Sequence, residues 1–535
     1  MNSRPSAREC RALKIIPALV IGLVSFVTHA FGSPATNSLS VINPQAFSGS
    51  FRENGPFYES DLKVKFGLDQ TILVAHLSDP NAADIIVATA TEKNLKTLEL
   101  FEMQQGYYPG NAVSVHQLDD DVIFLDVGAT VGRDMLVVFY SGVAMELNLK
   151  DGSRRPLIEF SSIYNAPVDQ KLPKLDALRD LNDDGLDDFI IPGFKGYEVY
   201  IQRPDGTFGA RSLLAAPPVM DMSFRQNPWY QAREIYHTDI TDDGRADLVF
   251  WVDDEFLIFE QLGNGDFSAV PERFSPPVMF DAEGYEGVSM RMGGEDQSDV
   301  EKKALFRLRD YDADGIPELV TLSIKSEGVL KKSTTYEIHR GEPGTANETG
   351  GPRLPGFEIL PASHIRSRGI QFDLEEKDLN NDGQIDIIVS SVEIGLGKII
   401  RALLTGSIAI KLDFYQMEAG KYPEKPNLER EVTATFNMSS GDVFLPTVLI
   451  TDINGDGMED LVVQDGDDTI ELYEGVNNNE LFSRRAIEIK VEMPRDPDKV
   501  ESMDLNADSK QDLVIQLEPL ETDQTVSRLK VLVRK

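Results

Sequence analysis

Residues 180–191 read DLNDDGLDDFII: oxygen-bearing side chains at alternate positions, a glycine, one more acid, then an apolar run. The same grammar returns as DITDDGRADLVF (239–250), DYDADGIPELVT (310–321), DLNNDGQIDIIV (378–389), DINGDGMEDLVV (452–463) and DLNADSKQDLVI (504–515). Two degenerate relatives precede them. HLSDPNAADIIV (76–87) keeps Asp84 and the apolar run, and DVGATVGRDMLV (126–137) keeps Asp126 and Asp134. The chain therefore holds eight units, their final acids 50 to 74 residues apart, and internal repeats of this length indicate a repeat architecture.

Each clear loop places oxygens at positions 1, 3, 5 and 9, with glycine at position 6 in five of the six. Ca²⁺ is a hard cation that takes about 6–8 oxygen ligands, so alternate side chains of a tight loop can converge on it, with the position 7 carbonyl added. Mg²⁺ suits such a loop less well, because it demands a smaller octahedral shell and keeps its water. Several carboxylates brought this close repel one another unless a cation lies between them. An EF-hand would close its loop with a bidentate Glu at position 12. Here that position is Ile191, Phe250, Thr321, Val389, Val463 or Ile515, and positions 10–12 read as a buried strand. After DFIIPG come YEVYIQR, the turn PDG and TFG, and the other units continue alike. With one strand before each loop, every unit is a four-stranded antiparallel meander. Such meanders repeated with little helix predict an all-β fold, a β-propeller.

The loop grammar, with aromatic–glycine turns such as GTFG (206–209) and GDFS (265–268), resembles the FG-GAP/VCBS repeat, which builds the propeller of integrin α-subunit heads. The resemblance implies calcium loops joining the first and second strands of each blade. Carried over residue by residue, the ligands are Asp180, Asn182, Asp184 and Asp188; Asp239, Thr241, Asp243 and Asp247; Asp310, Asp312, Asp314 and Glu318. They continue with Asp378, Asn380, Asp382 and Asp386; Asp452, Asn454, Asp456 and Asp460; Asp504, Asn506, Asp508 and Asp512. Thr241 and Ser509 depart from the pattern, so the sites at 239–247 and 504–512 are expected to be weaker. Those at 76–84 and 126–134 are expected to be empty. The family includes adhesive heads, lectins and some polysaccharide lyases. The resemblance thus implies a binding or scaffolding module for protein or glycan ligands, with a carbohydrate-active enzyme as the alternative.

Eight units predict eight blades; the alternative is seven, with residues 52–110 as an added element. The last unit ends in RLKVLVRK (528–535) as its third strand, and NPQAFSGSF (43–51) resembles the missing fourth. Pairing the two would close the ring and remove two exposed sheet edges. The propeller would then run over 43–535, after a linker at 31–42. Residues 1–30 read as a secretory signal peptide: Arg4, Arg8, Arg11 and Lys14, then IIPALVIGLVSFV, then Thr28-His29-Ala30. The expected location is periplasmic or extracellular. Cys10, the chain's one cysteine, falls inside that segment, so the mature chain would have neither disulfide nor thiolate chemistry.

The formal net charge of −37 argues against nucleic acid and anionic lipid as partners. No HExxH, GxSxG or phosphate-loop motif is present, and nothing marks an enzyme. His237 reads as a core residue. Trp251 reads as core within LVFWV, and Trp229-Tyr230 in RQNPWYQAR as a candidate ligand platform. First–second and third–fourth turns share one face of a meander, so the metal loops occupy one face and the links between blades the other. The variable stretches 209–235, 268–305, 341–370, 391–407 and 415–445 are assigned to that other face, where a partner is expected.

Overall fold

The computed structural model describes residues 51–64, 70–90, 95–163, 172–221, 229–280, 300–326, 332–345, 354–368, 370–393, 396–436, 443–477, 480–517 and 527–535. They form eight blades of four antiparallel strands. Blade one holds Gln70–Asp79, Ala82–Ala90, Lys96–Phe101 and Ser114–Gln117. Residues 70–117 are thus a full blade rather than an addition to a seven-bladed ring. Blades two to seven follow in chain order, each strand pairing with the next.

The second strand of each blade explains the unbroken apolar runs. Asp188–Gly193 and Asp247–Val252 are buried at every residue, because blades pack on both of their faces. A strand covered on both sides has no solvent face and so no polar alternation. The core is therefore divided. Eight apolar clusters each join two neighbouring blades, and the last of them, with Leu62, Ile85, Phe101, Leu505 and Val531, joins blade eight to blade one. Trp251 lies in the cluster between blades four and five, as expected from its strand.

Closure is made by a different segment from the one the sequence suggests. Blade eight comprises Val500–Met503, Asp512–Leu517 and Ser527–Arg534, and its fourth strand is Phe57–Val64. All eight residues of that strand pair with the third, from Phe57 with Arg534 to Val64 with Ser527. Of the expected 43–51, residues 43–50 lie outside the described residues, and Phe51 begins a short fifth strand, Phe51–Asn54. FYESDLKV alternates towards the core, which NPQAFSGSF cannot do over its length. An ion cluster locks the closure. Glu59, fully buried, accepts from Arg52 Nε (2.9 Å) and from Lys530 Nζ (2.9 Å) across the joint.

Among the described residues, two hairpins and an α-helix stand outside the blades, besides the 3₁₀ turn Pro497–Lys499 between blades seven and eight. The hairpin Val219–Asp221 with Trp229–Gln231 lies in the link between blades three and four. The helix Leu396–Thr405 joins the second and third strands of blade six. The hairpin Gly341–Thr345 with Leu354–Phe357 falls between the third and fourth strands of blade five, Lys332–His339 and Ser363–Arg368. That corrects the face of 341–370: its hairpin shares the face of the candidate metal loops, the first–second turns of the blades. Likewise 415–445 contains the third–fourth turn of blade six and its fourth strand, Leu428–Phe436. Two inserted residues and an extra turn look alike in sequence; only strand pairing tells which connection was lengthened.

Candidate metal centres

The six clear loops have one shape. The position 1 carboxylate accepts the position 6 N–H in all of them, from Gly185 to Asp180 (2.9 Å) through to Ser509 to Asp504 (2.9 Å). The position 5 carboxylate accepts the position 7 N–H on Oδ1, leaving Oδ2 over. At position 3, Asn182, Asp312, Asn380, Asn454 and Asn506 accept the position 5 N–H. Thr241 does not: its hydroxyl donates to Asp247 Oδ2 (3.0 Å). The backbone is left-handed at positions 4 and 6. Gly185, Gly244, Gly315, Gly383 and Gly457 have φ of 83–89° at position 6, where Ser509 is held at 67°. Position 4 is glycine only in blade seven (Gly455, 76°), and Ala313 (60°) and Ala507 (56°) take that conformation at a cost a small residue keeps modest.

Position 9 opens the second strand and is buried in every loop: Asp188, Asp247, Glu318, Asp386, Asp460 and Asp512. One of its oxygens accepts the position 2 N–H, as from Leu181 to Asp188 (3.2 Å) and Ile453 to Asp460 (3.0 Å). In five blades the other accepts an N–H at or just past the end of the third strand, from Gln202, Gln261, Met417, Gly475 or Arg534. This residue therefore ties the loop to its own sheet, a role that spacing alone does not reveal. Burial lifts these carboxyls, Asp188 and Glu318 to about 8, Asp386 and Asp512 to about 7, and Asp247 and Asp460 to about 6. The other loop carboxylates push the same way, as by Asp184 and Asp180 on Asp188.

Blade five departs from this scheme. Leu319 pairs with His339 as Leu513 pairs with Leu532, so Gly341 holds the place that Arg534 holds in blade eight. There the inserted hairpin begins, with Gly341 paired to Phe357, and Glu318 Oε1 is left buried without a partner, as is Asp310 Oδ1. Oxygens of Asp310, Asp312 and Asp314 lie within 4.8 Å of one another. An all-oxygen, anionic donor set with unpaired buried oxygens fits a hard divalent cation.

The loops are also chained to one another. The position 8 N–H donates to a carbonyl in the loop of the preceding blade: Asp187 to Ala129 (3.0 Å), Ile385 to Tyr311 (2.8 Å), Glu459 to Leu379 (3.3 Å), Gln511 to Asp452 (2.9 Å) and Ala83 to Leu505 (2.7 Å). At the joint of blades three and four, His237 Nε2 meets Leu181 O (2.8 Å) instead. His237 is exposed, so it is a surface tie and not the core residue expected. Pro317 has no N–H to offer at the joint of blades four and five.

The degenerate loops are short hairpins, in which Thr130 pairs with Arg133 and Asp79 with Ala82. Asp126 serves a structural end: its Oδ2 accepts from Ala177 N (2.8 Å) and Leu178 N (3.0 Å) of the next blade. Trp229 and Tyr230 are strand residues in the link hairpin; their side chains lie outside the described residues. His76 lies beside Asp134 (3.5 Å), while His339 is buried, held to Glu358 O (2.9 Å), and its pKa is lowered by that burial. Among the described residues no helix is long and apolar enough to cross a membrane.

Residues 452–515, from the candidate metal loop of blade seven through that of blade eight and into its second strand, match the FG-GAP-like repeat family. No curated protein matches in sequence. Among solved structures, the chain is similar to a lectin of Agrocybe aegerita that recognises non-reducing terminal N-acetylglucosamine (14% identity, 81% of this chain and 93% of that one, TM-score 0.38). It is also similar to the WD40 domain of SCAP from fission yeast (10%, 90% and 98%, TM-score 0.38). A third is the biofilm matrix protein Bap1 of V. cholerae (11%, 88% of each chain, TM-score 0.29).

Proposed function

From a chain that carries an FG-GAP-like repeat within an eight-bladed ring, we propose an exported, calcium-binding β-propeller that serves as a binding or scaffolding module for protein or glycan ligands. The observation that carries this reading is the common shape of the six loops, with the unpaired buried oxygens of Glu318 and Asp310 in one of them. Positions 1, 3, 5 and 9 would hold the ion, with the position 7 carbonyl. Thr241, turned to Asp247, would contribute least. A bound ion would supply charge neutralisation and rigidity. The chain itself supplies links from five of the six loops to the next blade, so the benefit of an ion there would reach the joint beside it. Extracellular calcium modules bind at ~10⁻⁴–10⁻³ M. In a few millimolar calcium each filled site then contributes about 1–2 kcal/mol. Thermal melting with calcium and with excess EDTA tests this. Calcium should raise the midpoint by several degrees, and coincident curves would refute the reading.

The ligand would dock on the face opposite the metal loops, where the link hairpin with Trp229 and Tyr230 and the helix Leu396–Thr405 project from a rigid ring. Rigid scaffolds carry function on such connections. Screening glycan and protein arrays with the wild type and with Trp229→Ala checks the face. The variant should lose a captured ligand while its calcium-dependent melting is kept; unchanged capture would move the site elsewhere.

A further inference from the structure

Resting on that calcium reading, the geometry points to a built-in competitor: in blades four, five and eight a basic side chain holds the position 5 oxygen that a calcium ion needs. Position 5 uses Oδ1 for the position 7 N–H in all six loops, so Oδ2 is the oxygen left for an ion. Arg245 Nη2 is paired with Asp243 Oδ2 in blade four. Lys510 Nζ lies 3.4 Å from Asp508 Oδ2 in blade eight. In blade five Arg340 Nη2 lies 3.7 Å from Asp314 Oδ2 and 3.0 Å from Asp312 Oδ2.

The other three loops differ. Among the described residues no Lys or Arg is paired with Asp184, Asp382 or Asp456, and Asp382 Oδ2 meets the neutral amides of Asn380 (3.0 Å) and Gln384 (3.3 Å). The competitors come from two places. Arg245 and Lys510 occupy position 7 of their own loops, where the other four loops have Leu186, Ile316, Gln384 and Met458. Arg340 follows the third strand of blade five, at the foot of the hairpin Gly341–Thr345/Leu354–Phe357. It faces the one loop with an acid, Asp312, at position 3.

A tethered cation is present at high local concentration and must be displaced before a divalent ion can use the same oxygen. The six loops therefore form two classes. Those at 180–188, 378–386 and 452–460 fill first; those at 239–247, 310–318 and 504–512 fill only at higher calcium. In blade five, filling also frees Arg340 and with it the base of the hairpin, so calcium level is read out on the metal-loop face.

Equilibrium dialysis of the full chain against calcium decides this. Wild type should bind about three ions near about 10⁻⁴ M free calcium and about six at several millimolar. The combined variant Arg245→Gln, Arg340→Gln, Lys510→Gln should reach about six at roughly tenfold lower calcium than wild type, the order by which ligand charge tunes such sites. The converse variant Leu186→Arg should lose one ion from the first class. An isotherm of the triple variant that is unchanged, or weaker, while Leu186→Arg also binds as wild type does, overturns the competitor. If wild type and triple variant both bind no calcium at several millimolar, the calcium reading itself fails and takes the competitor with it.

Discussion

At the scale of single residues, two aspartates from related loops have opposite duties. Asp456 belongs to a loop of six-fold recurring shape, and Asp456→Ala removes a charged oxygen there; the variant should bind about one calcium fewer by dialysis. Asp126 instead accepts N–H groups of Ala177 and Leu178 from the adjoining blade. Asp126→Ala should leave calcium stoichiometry alone, yet cost about 1–3 kcal/mol in urea unfolding by stranding buried donors. Asp126 also gives a pH signature. Burial raises its carboxyl to about 7, with Asp176 adding to the rise and Lys174 opposing it. A folded pKa above the unfolded 3.8 means that the folded state holds the proton longer. Stability from this group is highest below about pH 4, falls as pH rises between about 4 and 7, and is then level. In EDTA, Asp126→Asn should flatten that slope relative to wild type, as followed by urea midpoints across this range.

At the scale of elements, the loops and second strands were legible because each demands particular chemistry at particular spacing. Oxygens must alternate to converge on one point, and a strand packed on both faces must be apolar throughout, as DLVFWV is. What stayed hidden depends on partners distant in the chain. The identity of the closing strand rests on pairing with residues over 400 positions away. The side on which residues 341–357 emerge depends on which connection was lengthened. Arg340 gives no hint in sequence that it reaches Asp312 and Asp314, since it lies 28 residues from the first of them. The left-handed position 4 is veiled where alanine occupies it. The closing strand carries its own prediction. Lys530→Met leaves the buried Glu59 carboxylate with only Arg52 and the neutral amide of Asn54 (2.7 Å), and should cost about 3 kcal/mol in urea unfolding, without altering calcium stoichiometry. A loss below about 1 kcal/mol would show that strand pairing and packing suffice to hold the joint.

At the scale of the whole molecule, stability is shared among eight joints, each with its own apolar cluster. Joints bridged by the position 8 bond should behave as one unit with the metal loops. Native-state hydrogen exchange should therefore find the amides of Ile385, Glu459, Gln511 and Ala83 protected, although they sit beside exposed loop residues. Chelation should speed exchange at Ile385, Glu459 and Gln511 most, since clear loops lie on both sides of each. Ala83 donates to Leu505 from a hairpin without the loop grammar, so it should respond less. Equal exchange rates for all four amides with and without calcium would separate the bonds from the ions.

The closing strand also sets a timetable. Glu59 leaves the ribosome 471 residues ahead of Lys530. At ≈ 5–20 residues per second its ion partner follows roughly half a minute to a minute and a half later. Throughout that interval the newborn Phe57–Val64 is a sticky ribbon with an unclaimed border, ready to zip onto a sister polypeptide made on the same message. Until that partner arrives the edge of Phe57–Val64 is open to pairing with another copy of the chain, so the waiting period favours exchange between neighbouring molecules.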